Sequence, residues 1–188
     1  IVVAGAIAKQ MLDFKFSNRL VQIGSLKDMT KLDEYLKDIH EKKDSVGGII
    51  ELKVENMMVG LGEPMFEKLE SKIGQMLFSI PAVKGIEIGT GFSGVELLGS
   101  EYNDIYLDEK GKTLTNHSGG ISGGISNGND LVIKVFIKPT SSISKPQQSF
   151  NLETNKNEVF EVGGRHDTAI VRRAGIVLEN ALAIVLAD

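Results

Sequence analysis

Cysteine and tryptophan are absent from the 188 residues, and proline occurs only four times. The first absence removes disulfides, thiol nucleophiles and thiolate metal sites together, and it fits a reducing compartment. Three histidines with no paired spacing lead us to expect no metal site. No apolar run in the sequence approaches the ~20 residues that a membrane-spanning helix needs, so a membrane is not an expected partner. Aromatic residues make up 6% of the chain, which leaves few stacking platforms for nucleic acid. What remains is an ordinary globular composition, 41% apolar and 24% charged, long enough to bury one sizeable core.

Glycine is the excess. There are 21, and eleven of them fall between Gly85 and Gly128. Such a cluster implies turns, or close approach of backbone to something else. Charge is uneven as well. The net charge is −4, yet the segment from Lys110 to Arg173 holds nine Lys or Arg against five Asp or Glu. A basic, glycine-rich stretch in an acidic chain points to a local anion site rather than a nucleic-acid surface.

Periodicity sets out the elements. Residues 2–16 are apolar and helix-like, without a capping residue before them. Arg19 to Ile23 suggests a short strand, and Leu32, Leu36 and Ile39 mark an amphipathic helix over 31–43. Ile50, Leu52 and Val54 alternate with Glu51, Lys53 and Glu55, the pattern of a half-buried strand. Pro64 opens a helix whose apolar stripe is Phe66, Leu69, Ile73, Met76, Leu77 and Ile80, and Pro81 ends it. Strands are expected at 83–88, 95–99, 131–137 and 158–162, with a hairpin of 105–107 on 113–115. Arg173 to Ala187 is apolar nearly all round, so a buried helix is expected there. Strand runs with interspersed long helices give an α+β sandwich of layers, antiparallel-rich, rather than a βαβ alternation.

Several motifs carry no chemistry. Gly89 to Gly94 matches G-x-G-x-x-G, but a dinucleotide site needs a helix starting at its end, and Val95 to Gly99 looks like a strand. The acceptor pattern Asn116-His117-Ser118 is expected to be incidental, since no secretory signal is visible in these residues. His40, on a face rich in Lys and Glu, is expected to be a solvated histidine.

Two stretches do carry chemistry. Residues 116–142 combine Gly-Gly pairs with small polar residues, then run through an apolar strand into Lys138-Pro139-Thr140-Ser141-Ser142. Consecutive backbone N–H groups, one ammonium and three hydroxyls suit a phosphate, although no Walker loop is present. The alternative is a long flexible surface loop. Gly163-Gly164-Arg165-His166-Asp167 offers a bidentate anion ligand in Arg165 and a proton acceptor in Asp167. The alternative here is a turn in which Arg165 and Asp167 pair with each other.

Together these segments resemble the chorismate synthase family. The resemblance rests on GLGEP (60–64), SIPAVKGIEIG (79–89), NHSGGISGGISNG (116–128), KPTSS (138–142) and GRHD (164–167). Arg173-Ala174, Glu179-Asn180-Ala181 and the opening VAGAIAK (3–9) continue it in the same order. The resemblance implies a β-α-α-β sandwich and a cytoplasmic, homotetrameric lyase of the shikimate pathway, in aromatic amino acid biosynthesis. Members eliminate phosphate from 5-enolpyruvylshikimate 3-phosphate, in the anti-1,4 sense, to give chorismate. They require reduced FMN, and some reduce it with NADPH; which type this chain represents is left open. Carried over by position, Pro81, Ala82, Gly123, Lys138, Pro139, Thr140, Ser141, Ser142 and Arg165 contact FMN. Arg165 also binds substrate, and Asp167 acts catalytically, through the flavin, in removing the ring proton. Asn116 and His117 are expected to line the pocket.

The family's N-terminal half, with two histidines, several arginines and an Arg-Ser-Ala-Arg-Glu-Thr-like flavin segment, has no counterpart in these residues. The linker between Gln22-Ile23-Gly24 and Leu32 is also short for the family. Residues 1–188 are therefore expected to be the C-terminal portion of a single chorismate synthase domain, inactive alone. A non-catalytic anion- or flavin-binding fragment, or a purely structural domain, stands as the alternative.

Overall fold

The structure is a computed structural model that describes residues 1–188. Its elements, in chain order, are α1 (Val2–Gln10), β1 (Lys15–Ile23), α2 (Leu32–Glu41), β2 (Gly48–Glu55), α3 (Leu69–Phe78), β3 (Val83–Ile88) and α4 (Gly99–Tyr102). They continue with β4 (Ile121–Ser122), β5 (Ile125–Ser126), β6 (Leu131–Ile137), β7 (Gln147–Asn151), β8 (Lys156–Phe160) and α5 (Val171–Ala187).

Alternation builds the sheet. In β2 the residues Ile50, Leu52 and Val54 are buried, and in β6 so are Leu131, Ile133, Val135 and Ile137. Those faces join in one antiparallel sheet of order β1-β2-β6-β3. The registers Leu52 on Ile133 and Ile50 on Val135 keep these buried side chains on the same side. The other side carries charge in a row that crosses all four strands, Arg19 on Glu51, Glu51 on Lys134 and Lys134 on Glu87. Opposite signs directly across from each other fix this register, because a one-residue slip would turn the charges into the core.

Helix α5 packs on β1 and β2, α3 packs on α5 and β3, and α1 lies outside against α5. Leu178, Leu182 and Leu186 of α5 and Ile73 and Leu77 of α3 are buried against the sheet. Each such side chain contributes about 1.5–3 kcal/mol through removal from water. Buried Glu179 then ties the outer layer down, accepting from Lys9 on α1 and Asn18 on β1. The result is α+β, an antiparallel sheet under two layers of helix. The other two sheets are hairpins, β4-β5 and β7-β8.

Some expectations change. The first helix stops at Gln10, Phe14 lies in the link to β1, and Phe16 belongs to β1, where it faces Val54. Their spacing suits either period, and pairing with β2 decides it. The helix expected from Pro64 is broken at Lys68 (ψ 143°), so Phe66 lies in a single 3₁₀ turn and is 85% exposed instead of lining the core. Residues 95–99 form no strand. After the bond from Gly89 N–H to the Val132 carbonyl, the next bond, from Thr90 N–H, goes to the His117 carbonyl. That diverts the chain out of the sheet into a 3₁₀ helix (Gly91–Glu96) and then α4. The dinucleotide reading stays excluded, since the helix that follows is four residues long. The hairpin of 105–107 on 113–115 is present as a Tyr106–Thr113 bridge. The strand expected at 158–162 lies at Lys156–Phe160 and pairs with β7, a partner that its polar sequence, QQSFN, concealed.

Candidate functional site

The glycine-rich segment is an ordered scaffold, not a flexible loop. Asp104 gathers it from outside, accepting from His117 N–H (2.8 Å), Ser118 N–H (2.9 Å) and the Thr115 hydroxyl (2.7 Å). Burial pushes the Asp104 carboxyl up, but the three donors outweigh it and hold the carboxyl below its usual range. Asn116 donates to the Asp130 carbonyl (2.8 Å) and accepts from Gly120 N–H (2.8 Å). His117 stacks on Tyr102 at 5.6 Å between ring centroids and lies 2.7 Å from the Thr90 hydroxyl. Neither Asn116 nor His117 lines the cavities formed by Arg165 and Asp167 or by Lys138 and Pro139. Their polar atoms are engaged in shaping the loop.

Within the scaffold β4 and β5 form a hairpin whose turn is Gly123-Gly124, at φ +61° and +92°. Two successive positive φ values are what a two-residue hairpin turn demands, and glycine supplies them without strain. Gly124 is buried, and its carbonyl accepts from Leu69 N–H at the start of α3 (2.8 Å). Gly123 is exposed at the tip, with open space around it.

Strand β6 starts beside this scaffold, where Val132 N–H bonds the Gly119 carbonyl, and ends at the phosphate-type run Lys138–Ser142. Six residues of strand separate Val132 from Lys138, about 20 Å. Within one chain, then, Gly123 does not meet Lys138. Pro81-Ala82 does: Lys138 N–H donates to the Ala82 carbonyl at 2.9 Å, and Ala82 itself is held at φ +73°. In the run, Lys138 Nζ donates to Ser141 Oγ (2.6 Å), Ser142 is exposed, and Thr140 Oγ1 is buried with no hydrogen-bond partner. An ammonium, two outward hydroxyls and one orphaned hydroxyl make a donor set that fits a phosphate monoester.

A cavity of about 800 Å³ opens between the end of α2, the loop before α5 and residues 143–144. Arg165 and Asp167 both line it, as expected of a site. Lys138 and Pro139 line a second, smaller cavity of about 350 Å³, so the run passes between the two. The carboxylates of the larger cavity are already engaged. Asp167 pairs with Arg173, six residues on, and not with Arg165. Asp44 pairs with Lys145 at 2.8 Å, whose hydrogen bond, with Ser45 N–H, holds the Asp44 carboxyl below its usual range. Three other lining cations, Lys43, Arg165 and Arg172, have no carboxylate partner.

His40 comes from α2 and Lys43 from the segment just after it, which local sequence gave no reason to connect with Arg165. His40 is exposed, as expected, but it stands at the cavity wall, 3.4 Å from the Thr168 hydroxyl. Arg172 could have been suspected from its place beside Arg173. For Lys43 no sequence signal existed, because its position depends on the pairing of β1 with β2.

A family model described as chorismate synthase matches residues 1–188. A chorismate synthase of Chitinophaga pinensis is 47% identical over 190 residues, covering all of this chain and 56% of that protein. One from Methanococcus maripaludis is 51% identical over 164 residues, 86% of this chain and 44% of the relative. A solved structure titled "Crystal Structure of Chorismate Synthase" superposes with a TM-score of 0.79 at 26% identity, over 98% of this chain and 60% of the other. The chain thus spans about half the length of the curated relatives it matches. Its sequence and its fold agree, and the chain belongs to the chorismate synthase family.

Proposed function

We propose that the intact gene product converts 5-enolpyruvylshikimate 3-phosphate to chorismate by anti-1,4 elimination. The bond from ring carbon to phosphate oxygen breaks, a ring proton leaves, and a new ring double bond forms. The observation that carries this reading is the cavity beside Asp167, where Lys43, Arg165 and Arg172 stand without carboxylate partners. The substrate bears one phosphate and two carboxylates, so cations and anionic groups match in number. All three cations are exposed, so an anionic ligand can reach them from solvent.

Arg165 holds an anionic group of the substrate in a planar, two-pronged grip. Asp167 is the proton acceptor, and its pairing with Arg173 fixes which way the carboxylate points. Lys138, Thr140, Ser141 and Ser142 hold the phosphate of FMN, with Pro81, Ala82, Pro139 and Arg165 against the rest of the cofactor and Gly123 reaching it from another subunit of the homotetramer. Reduced FMN, when bound, supplies transient electron density to the substrate as phosphate departs. NADPH serves as its reductant, externally or on the enzyme. The protein works in the cytoplasm as a homotetramer within the shikimate pathway.

Anaerobic incubation of the intact gene product with substrate and reduced FMN tests this, with chorismate followed by its absorbance. Product formation is expected, and its absence overturns the proposal. The 188 residues alone are expected to yield none. FMN binding by that piece without turnover would identify it as the flavin-binding part.

A further inference from the structure

The segment after α2 touches three distant parts of the chain within three residues. Asp44 Oδ2 accepts from Lys145 Nζ at 2.8 Å, while Oδ1 accepts from Ser45 N–H at 2.8 Å. Ser45 Oγ donates to the Thr140 carbonyl at 2.6 Å. Val46 N–H donates to the Thr168 carbonyl at 2.8 Å, next to Asp167. One residue further, the Gly47 carbonyl accepts from Gly24 N–H (2.9 Å), anchoring the segment to the end of β1. Residue 47 must lack a side chain, since a Cβ there would lie 2.3 Å from the Ile137 carbonyl oxygen and 3.0 Å from Pro139 Cδ.

Residues 138–145 are therefore clasped twice, at Thr140 through Ser45 and at Lys145 through Asp44. The next link, from Val46, reaches the loop that carries Asp167. Among side chains outside Lys138–Ser142, only Ser45 bonds to that run. Its bond fixes the plane of the Thr140 peptide, and with it the directions of the unpartnered Thr140 hydroxyl and of Ser141.

We propose that Asp44-Ser45-Val46 is a brace that sets the spacing between the phosphate-holding run and the Asp167 loop, with Ser45 as its positioning residue. This rests on the reading of Lys138–Ser142 as the flavin-phosphate cradle. Ser45 lines the smaller cavity with Lys138 and Pro139, but its hydroxyl is spent on the Thr140 carbonyl, so the role proposed for it is indirect. It acts by holding Thr140 in place before the cofactor arrives, so its loss should show in cofactor affinity rather than in the chemical step.

The experiment titrates FMN into the intact gene product with saturating 5-enolpyruvylshikimate 3-phosphate and follows flavin fluorescence. Turnover at saturating FMN and the melting temperature are measured on the same samples. Ser45→Ala removes one hydrogen bond, and the dissociation constant of FMN is expected to rise about fivefold. Turnover at saturating FMN stays within about twofold, because the Val46 bond to the Asp167 loop is backbone and survives. Ser45→Thr keeps the hydroxyl and restores the affinity. Should Ser45→Ala not fold, Asp44→Asn weakens the other clasp and is expected to raise the same constant by about twofold. An unchanged dissociation constant in the variant overturns the brace, as does a fall in melting temperature and turnover with affinity intact. No FMN binding by the unsubstituted protein overturns the flavin reading itself.

Discussion

Asp167→Asn separates a chemical role from a structural one, because the two predict effects of different size on different quantities. The substitution keeps the shape of the side chain and one carbonyl acceptor for Arg173, and it removes the charge and the proton-accepting oxygen. The Arg173 side chain is 73% exposed and that of Asp167 50%, so their ion pair is well hydrated. Such a pair contributes about 0–1 kcal/mol to stability, which for a chain of this size is at most ~2–4 °C in melting temperature. A positioned general base is worth about 10²–10⁴ in rate, or ~3–5 kcal/mol in the barrier.

The assay is anaerobic chorismate formation at saturating substrate and FMN, alongside thermal unfolding and FMN titration. Turnover is expected to fall at least about 100-fold, with the FMN dissociation constant within about twofold of the unsubstituted value. Arg173→Ala leaves the carboxylate in place but unaimed, and a loss of about five- to tenfold in turnover follows from one weakened charge-assisted contact. Near-normal turnover in Asp167→Asn would remove Asp167 from the chemistry. A drop of about 10 °C in its melting temperature would instead show a structural pair, contrary to the exposure argument.

Arg165→Ala deletes a two-pronged anion contact, and KM for the substrate should rise about 10–100-fold; an unchanged KM would place Arg165 outside the site. Glu179→Gln sets an amide N–H₂ against Lys9 or Asn18 in a buried position, costing about 2 kcal/mol and ~4–8 °C in melting temperature, and an unaltered melting curve would refute the clasp. Asp104 gives a pH dependence whose sign is set by its lowered carboxyl. Its stabilisation of the glycine scaffold is present above the ordinary value of about 3.9 and is lost as pH falls through the lower folded-state value. Amide signals of His117 and Ser118 should therefore stay native down to about pH 4 and shift below it. Asp104→Asn should abolish that acid transition, and its persistence in the variant would exclude Asp104 as the cause.

How legible all this was in the sequence depends on the range over which each feature is determined. Strand β2 was plain because one face meets the helices and the other meets charge, so the period of two is written directly into Ile50–Glu55, and β6 was plain as a short, strongly apolar run. The long apolar run of α5 was plain for a similar reason, being covered on most sides. Phe14, Phe16 and Phe66 misled, since two or three apolar residues satisfy either period and only a partner strand or a backbone break chooses between them. For residues 116–142 composition left a long flexible surface loop as the alternative to an anion site, and the glycine-rich part is ordered instead. What orders it is partly distant, Asp104 accepting from residues 115, 117 and 118, and partly internal, Asn116 bonding Gly120 N–H and the Asp130 carbonyl.

The site divides along the same line. Arg165 and Asp167 announce themselves because both lie within one short, glycine-led loop, where chemistry and proximity coincide. The pairing of Asp167 with Arg165, the alternative that the sequence offered, is replaced by Arg173, which the start of α5 places in reach. Lys43, Asp44 and Ser45 were invisible for a stronger reason. Nothing near them is unusual, and Ser45 meets Thr140 across 95 residues only because β2 pairs with β6, which brings Gly48 opposite Ile137. That register places the chain entering β2 against the chain leaving β6. The strand pairing that builds the core therefore also sets the distance between the phosphate-holding run and the Asp167 loop. A change at the Gly48–Ile137 end of the ladder should reach the site as well as the core, to which Ile137 itself belongs.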